Sequence, residues 1–218
     1  EINTPVAAIK ANNEMITKLI SRVEDEKLKG LFNSINSTDK EAIQRINQLV
    51  ISLKKFVRLD EADLQDADIN KELDLTLDLI RHETKNRIKI VKNYGDIPPV
   101  KCYPNMLNQV FTNILVNSCQ AIKESGTIEI TTYTTDNELV IKFKDDGEGI
   151  PQEKLDKIFA VGYTTKGVGV GTGLGLAISL KIIEKHGGKI IVNSEVGMGT
   201  CFTITIDQKI PVSNENKN

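Results

Sequence analysis

Residues 144–176, KDDGEGIPQEKLDKIFAVGYTTKGVGVGTGLGL, decide how the rest of the chain is read. The stretch opens with Asp145-Asp146-Gly147-Glu148-Gly149, directly after the alternating Leu139, Ile141 and Phe143. It closes with Gly171-Thr172-Gly173-Leu174-Gly175-Leu176, which runs into a helical pattern. Glycines so spaced let backbone approach a ligand closely. A glycine run feeding a helix N-terminus offers unpaired N–H groups and a positive dipole end to an anion, usually phosphate. Between the two clusters lies a segment poor in large apolar residues, the composition of a movable lid. One such cluster alone equally describes a flexible surface loop. The ordered pair points to a nucleotide pocket with a lid.

Two common nucleotide motifs are excluded. No G-x-x-x-x-G-K-[ST] occurs, and the register Gly169, Gly171, Gly173, Gly175 never yields G-x-G-x-x-G. Other short motifs stand around the stretch. Upstream, Asn113-Ile114-Leu115-Val116-Asn117 places two amides four apart, hence on one helix face. Downstream stand Phe159 to Tyr163 and Gly197-Met198-Gly199-Thr200-Cys201-Phe202. In this order the motifs resemble the N box, first glycine box, F box, second glycine box and third glycine box of sensor histidine kinases. Glu1-Ile2-Asn3-Thr4-Pro5 resembles the histidine box H-E-x-x-T-P without its histidine.

The resemblance covers nearly the whole chain and implies a transmitter core using ATP and Mg2+. It matches Asp145 to the aspartate that accepts a hydrogen bond from the adenine amino group, with Gly147 and Gly149 giving room and Thr200 beside the same edge. Asn117 becomes the magnesium ligand, assisted by Asn113. Tyr163, Lys166, Gly171, Gly173, Leu174, Gly175 and Leu176 belong to the lid and the helix it feeds, with Phe159 and Tyr163 anchoring its near end and Lys166 reaching toward phosphates. The family often has an acidic residue and a proline between these aromatics; Ala160-Val161-Gly162 stands there instead. Glu1 would follow the acceptor histidine directly, and Thr4 matches the position that orients water for dephosphorylation. The residue before Glu1 is expected to be histidine. His82-Glu83-Thr84-Lys85-Asn86 mimics that box, but no proline follows it, so His82 reads as a surface residue, and His186, at a helix end, reads the same way.

The 218 residues suffice for one large or two small domains, and a net charge of −2 gives no global field favouring nucleic acid. Tryptophan is absent, which weighs against stacking platforms for single strands. Cys102, Cys119 and Cys201 are dispersed and lack metal-ligand spacing, so they read as reduced thiols of a cytoplasmic protein. No apolar run reaches the length of a membrane span. Any membrane attachment is expected only through segments upstream.

Residues 1–60 read as a helical hairpin. Ile2, Val6, Ile9, Asn13, Ile16, Ile20 and Val23 share one spacing, repeated by Leu28, Phe32, Ile35, Asp39, Ala42, Ile46, Leu49, Leu53 and Phe56. Pro5 either bends the first helix or marks its start. The reversal is expected at Glu24–Lys27. Two helices cannot bury such stripes, which predicts a homodimeric four-helix bundle. Asn13 and Asp39, one polar position in each stripe, are expected to share a layer. Residues 61–69 read as a linker, 70–210 as the catalytic ATP-binding domain and 211–218 as a polar tail.

Within the catalytic domain the pattern predicts a helix over 70–85 and a strand at 88–91. A helix follows from Pro104 to near Ser125-Gly126, then strands 127–134 and 138–144. Helix 174–185 and strands 189–193 and 200–206 complete it. The fold class is α+β with a mostly antiparallel sheet. The resemblance makes it the two-layer α/β sandwich of histidine kinases and gyrase-type ATPases. The function implied is phosphoryl transfer from Mg-ATP to the missing histidine and on to a response-regulator receiver domain, with possible phosphatase activity. Two alternatives remain: a hydrolytic conformational-clamp ATPase, and a kinase-silent dimeric phosphatase or scaffold. Asn113 stands where clamp ATPases typically place a glutamate base, which favours transfer.

Overall fold

The structure is a computed structural model that describes residues 3–57, 63–85, 87–164 and 173–207. The chain divides into two compact units, residues 1–57 with 162–174 and residues 58–161 with 175–218. Among the described residues no helix is long and apolar enough to cross a membrane.

The hairpin consists of α1 (Asn3–Ile20) and α2 (Glu26–Val57). Pro5 falls in the first turn of α1, where an N–H is not needed. The reversal lies at Ser21–Asp25, slightly earlier than Glu24–Lys27. Arg22 N donates to Leu19 O at 3.0 Å and Val23 N to Ile20 O at 3.1 Å, closing α1. Asp25 caps α2, its Oδ1 accepting from Lys27 N at 2.9 Å and Leu28 N at 3.1 Å. That shift changes the register. Asn13 stands opposite Asn36, a pair whose midpoint falls between Glu24 and Asp25, and Asp39 is exposed. The seam between the helices buries Asn13 and Ile20 of the expected first stripe against Asn36 and Ile43, which stand outside the expected second one, while Ile9, Ile16, Leu28, Phe32, Ile35 and Ile46 of the two stripes are exposed.

The second unit begins earlier than the linker boundary at residue 69. Gln65–Ala67 (β1) pairs antiparallel with Val100–Cys102 (β3), and Asp68 caps α3 (Ile69–Leu79) through bonds from Asn70 N and Lys71 N. Strands of three residues are too short to show a period in sequence. The expected helix 70–85 is broken at Ile80 (φ −94°, ψ 11°) and resumes as α4 (Arg81–Thr84). There the Arg87 side chain takes the Glu83 carbonyl that a continuing helix would give to backbone, while Arg87 N turns to Thr84 O.

The main sheet has the order β2-β4-β5-β7-β6, formed by Ile88–Tyr94, Gly126–Thr134, Glu138–Asp145, Gly199–Asp207 and Gly188–Glu195. It is mixed: β2 joins β4 in parallel, and the other pairs are antiparallel. Alternation puts Ile128 and Ile130, Leu139, Ile141 and Phe143, and Phe202, Ile204 and Ile206 on one buried face. Against it pack α5 (Pro104–Ala121) and α7 (Gly175–Lys185), whose inner residues include Phe111, Ile114, Leu115 and Ile182. The Phe111 and Phe143 rings meet at 5.8 Å. A short helix, α6 (Gln152–Leu155), follows β5.

Two further expectations change. α5 stops at Ala121 rather than near Ser125, because its last carbonyls are taken by other parts of the fold. Arg87 donates to Cys119 O at 2.7 Å and to Ile122 O at 2.6 Å, and Glu148 N donates to Ala121 O at 3.0 Å. His186 is not a surface residue but fully buried, its Nε2 accepting from Tyr103 N at 3.1 Å and its Nδ1 donating to Ile182 O at 2.7 Å. His82 is exposed, as expected. Burial pushes the Cys102 thiol up to about 12 and the Cys119 thiol to about 11, so neither is ionised at neutral pH.

Candidate nucleotide-binding site

β5 ends in Asp145, and the site is built around that carboxylate. The alternation that buries Leu139, Ile141 and Phe143 carries Asp145 to the same face, leaving it 2% exposed. Three donors converge on it. Ser118 Oγ, from α5, donates to Oδ2 at 2.7 Å. Gly147 N donates to Oδ1 at 3.1 Å and Thr200 N at 3.2 Å. Burial pushes the Asp145 carboxyl above the usual carboxylate range, Asp146 adds to this, and the three donors oppose it. Burial thus works against the charged form, and a further donor would favour it.

The D-x-G-x-G spacing follows from close packing. A Cβ on Gly147 would stand 2.8 Å from the Ala121 Cβ and 2.9 Å from its carbonyl carbon. Gly149 has φ +70° and lies against the Glu195 carbonyl, where only glycine fits without strain. Glu148 N, between them, is the donor that closes α5 at Ala121. The loop is thereby fixed to the helix that carries the amides. Asp146, exposed, accepts from Thr127 N at 2.8 Å and so acts as the strand-end residue.

Thr200 is 5% exposed and its hydroxyl lies 2.8 Å from Ser194 Oγ. Ser194 in turn accepts from Ile150 N at 2.8 Å and donates to Gly199 O at 2.9 Å, tying the loop to the β6–β7 hairpin. A cleft of about 380 Å3 borders Asp145 and Thr200, but Lys144, Asn193, Glu195 and Cys201, which line much of it, belong to the solvent-facing side of their strands.

Asn113 and Asn117 stand one turn apart on α5, both half-buried. Asn113 Nδ2 donates to Gly175 O at 2.9 Å and Ser179 Oγ at 3.1 Å, so its nitrogen holds the first turn of α7. Among the described residues no cluster of three or more His, Cys, Asp or Glu could cage a metal. Amide oxygens on one helix face fit instead a magnesium ion that is held largely by phosphates and water. Leu176 is half-buried in the first turn of α7.

At the described ends of the segment expected to form a lid, Gly162 N donates to Gly173 O at 3.0 Å, and both glycines have positive φ. Tyr163 and Leu174 flank this closure, each half-buried. Lys166 and Gly171 lie outside the described residues, as do Glu1, residues 58–62 and the tail 211–218. Thr4 lies in α1.

Asp145, Gly147, Gly149 and Thr200 are thus brought together, and Asn113 and Gly175 meet separately. Sequence reasoning missed Ser118, Ser194 and Arg87. Ser118 follows Asn117 directly, and a hydroxyl at a core position of α5 was the available signal.

The model of the family described as histidine kinase-, DNA gyrase B- and HSP90-like ATPase matches residues 102–210. Sporulation kinase E of Bacillus subtilis is 36% identical over 209 residues, covering 94% of this chain and 27% of that protein. Sensor histidine kinase ZraS of Escherichia coli K12 is 36% identical over 173 residues, covering 78% of this chain and 37% of that protein. The chain therefore spans between about a quarter and two fifths of the length of these relatives. Among solved structures, the nucleotide-free catalytic domain of histidine kinase ThkA superposes with a TM-score of 0.61 at 29% identity, covering 67% of this chain and 96% of that one.

Proposed function

Because the chain belongs to the histidine kinase-, DNA gyrase B- and HSP90-like ATPase family, we propose that it is the core of a sensor histidine kinase. It binds Mg-ATP and transfers the γ-phosphoryl group to a histidine directly before Glu1 in the longer protein. The kinase names of its relatives support this reading. The observation that carries it is the Asp145 cluster: a buried carboxylate with converging donors, fixed between the amide-bearing helix and β7.

Asp145 accepts from the adenine amino group, beside Thr200, and Gly147 and Gly149 clear the approach. Asn117 would hold magnesium with the Asn113 oxygen assisting, and the ion, when bound, would supply charge neutralisation at the phosphates. Gly175 and Leu176 present the N-terminus of α7 to those phosphates. Tyr163, Lys166, Gly171, Gly173 and Leu174 form the lid. In the transfer step a nitrogen lone pair of the acceptor imidazole attacks the γ-phosphorus and ADP leaves. Glu1 holds the other ring nitrogen's proton. The phosphoryl group then passes to an aspartate of a response-regulator receiver domain, and Thr4 positions water when the regulator is dephosphorylated. The exposed face of α1 and α2 pairs with a second copy to form the dimer.

The test is radiolabelled ATP added to protein extended upstream of Glu1. Acid-labile label on the protein is the expected result. Free phosphate without protein label would mean a hydrolytic clamp ATPase, and neither product a kinase-silent module.

A further inference from the structure

The adenine reading of Asp145, on which the following rests, does not explain why a side chain should grip that carboxylate. Each carboxylate oxygen has two lone pairs. Oδ1 accepts from both Gly147 N and Thr200 N, which fills it. Oδ2 accepts from Ser118 Oγ at 2.7 Å, which leaves one position. Ser118 is 1% exposed, so it acts through Asp145 and not on a ligand. The two backbone donors are fixed by chain geometry and survive most substitutions. Ser118 is the adjustable one.

We propose that Ser118 is the positioning residue that sets base selectivity: its hydroxyl fixes the Asp145 carboxylate with a single acceptor position left for the base. A purine bearing an exocyclic amino group at that edge satisfies the position. A purine with a carbonyl there meets an oxygen that cannot donate, and is rejected. Ser118 is also the neighbour of Asn117 on α5, so the carboxylate that reads the base and the amide assigned to magnesium are set by one turn of helix.

The groups around Asp145 sharpen the test. Asp146, next in the chain, is the charged neighbour that raises its carboxyl, and Cys119 of α5 is a titratable neighbour whose thiol is held neutral by burial. The facing Ser118 of α5, Gly147 of the loop and Thr200 of β7 do not titrate. Losing the Ser118 donor therefore moves the carboxyl further up, toward a form that donates rather than accepts.

The experiment is calorimetric titration of ATP, inosine triphosphate and purine riboside triphosphate into the wild type, Ser118→Ala, Ser118→Cys and Asp145→Asn, at several pH values. Inosine triphosphate carries a carbonyl, and purine riboside triphosphate carries hydrogen, where ATP has its amino group. For Ser118→Ala we expect the preference for ATP over inosine triphosphate to narrow about tenfold, the scale of one hydrogen bond to a charged group. The acid limb of ATP affinity should move up by about one pH unit, while purine riboside triphosphate binds within about twofold of wild type, since it makes no such bond. Ser118→Cys, with a weak S–H donor, should fall between and serves if the alanine variant does not fold. Equal weakening of all three nucleotides, or no change in preference and acid limb, would overturn the proposal. If Asp145→Asn leaves ATP affinity unchanged, the adenine reading itself falls. Weakened ATP binding in Asp145→Asn beside an unaltered Ser118→Ala leaves that reading standing and removes only the role of Ser118.

Discussion

The hairpin and the catalytic unit carry comparable apolar patterns and do opposite things with them. In the catalytic unit Phe111, Ile114, Leu115, Ile141 and Phe143 are all fully buried. In the hairpin Leu19, Leu31 and Ile35 are each more than half exposed, and the described side chains that reach burial are Asn13, Ile20, Asn36 and Ile43. A helical layer on a sheet encloses a core within one chain. Two helices share only one seam, and what lies beside it stays in water until another surface covers it. Residue type does not separate the regions. Layer number does.

The largest expected effect tests that contrast directly. Phe111→Ala should cost about 3–5 kcal/mol, as large buried aromatics do. The loss should appear in the catalytic unit's melting transition at every protein concentration. Phe32→Ala, at a position 43% exposed, should instead lower the hairpin's melting temperature mainly by weakening self-association, so its effect should depend on concentration. Melting curves over a hundredfold dilution provide the check. A Phe32→Ala loss that ignores dilution would mean that the hairpin's apolar face has no partner in solution.

The second prediction narrows the contrast. The hairpin seam holds a polar layer: Asn36 Nδ2 donates to Thr17 Oγ1 at 2.8 Å, Thr17 Oγ1 donates to Asn13 O at 2.9 Å, and Asn13 Nδ2 reaches Asn36 O at 3.5 Å. Among the described residues Asn36 Oδ1 is buried without a partner. Leaving such an oxygen unsatisfied costs about 1–3 kcal/mol, and Asn36→Leu should recover an amount of that order while leaving the catalytic transition where it was. The layer would then trade stability for a fixed helix register, as buried asparagines do in coiled coils. Thermal melts of the single variant decide it; an unchanged or lower hairpin transition would show that the asparagine is not a net burden.

What was legible in the sequence follows the same division. The strands around Leu139–Phe143 and Phe202–Ile206 announced themselves by alternation, and the motifs that drew attention to Asp145, Gly147 and Thr200 name residues that hydrogen-bond to one another. Each of those signals is local. The misses depend on long-range partners. Arg87 ends α5 from across the fold, and neither the early stop at Ala121 nor the break at Ile80 shows in a window of helical spacing. Ser118 looked like one more position on an amphipathic helix until β5 delivered a carboxylate to it. In the hairpin, a reversal set a few residues too late replaced Asn36 by Asp39, because pairing across a turn is only as good as the turn's location. The parallel pairing of β2 with β4 is likewise invisible to pattern, since parallel and antiparallel neighbours share one period.

The smallest expected effect separates the units by pH. Both histidines, His82 and His186, lie in the catalytic unit and none in the hairpin. His186 needs one particular neutral tautomer, with Nδ1–H donating to Ile182 O and Nε2 accepting from Tyr103 N. Protonation would set an Nε2–H against the Tyr103 N–H in a site closed to solvent, His186 being 0% exposed. Burial holds its pKa below the ordinary histidine value; Lys185, whose ammonium lies 5.0 Å from the Tyr103 ring centre, pushes the same way, and the bond to Ile182 opposes both. A depressed histidine pKa means that the unfolded chain binds the proton more readily. The stability contribution is therefore complete above about pH 6.5 and declines as pH falls from there toward the folded value, at no more than about 1.4 kcal/mol per pH unit. Asp145, with its raised carboxyl, works with the opposite sign at lower pH, so wild type alone does not isolate the histidine. The comparison to make is wild type against His186→Gln, by denaturant melts at pH 7.5 and pH 5.5. The wild-type catalytic transition should lose more on acidification than the variant's, with the hairpin transition equal in both. Parallel losses in the two proteins would show that His186 is not the group responsible.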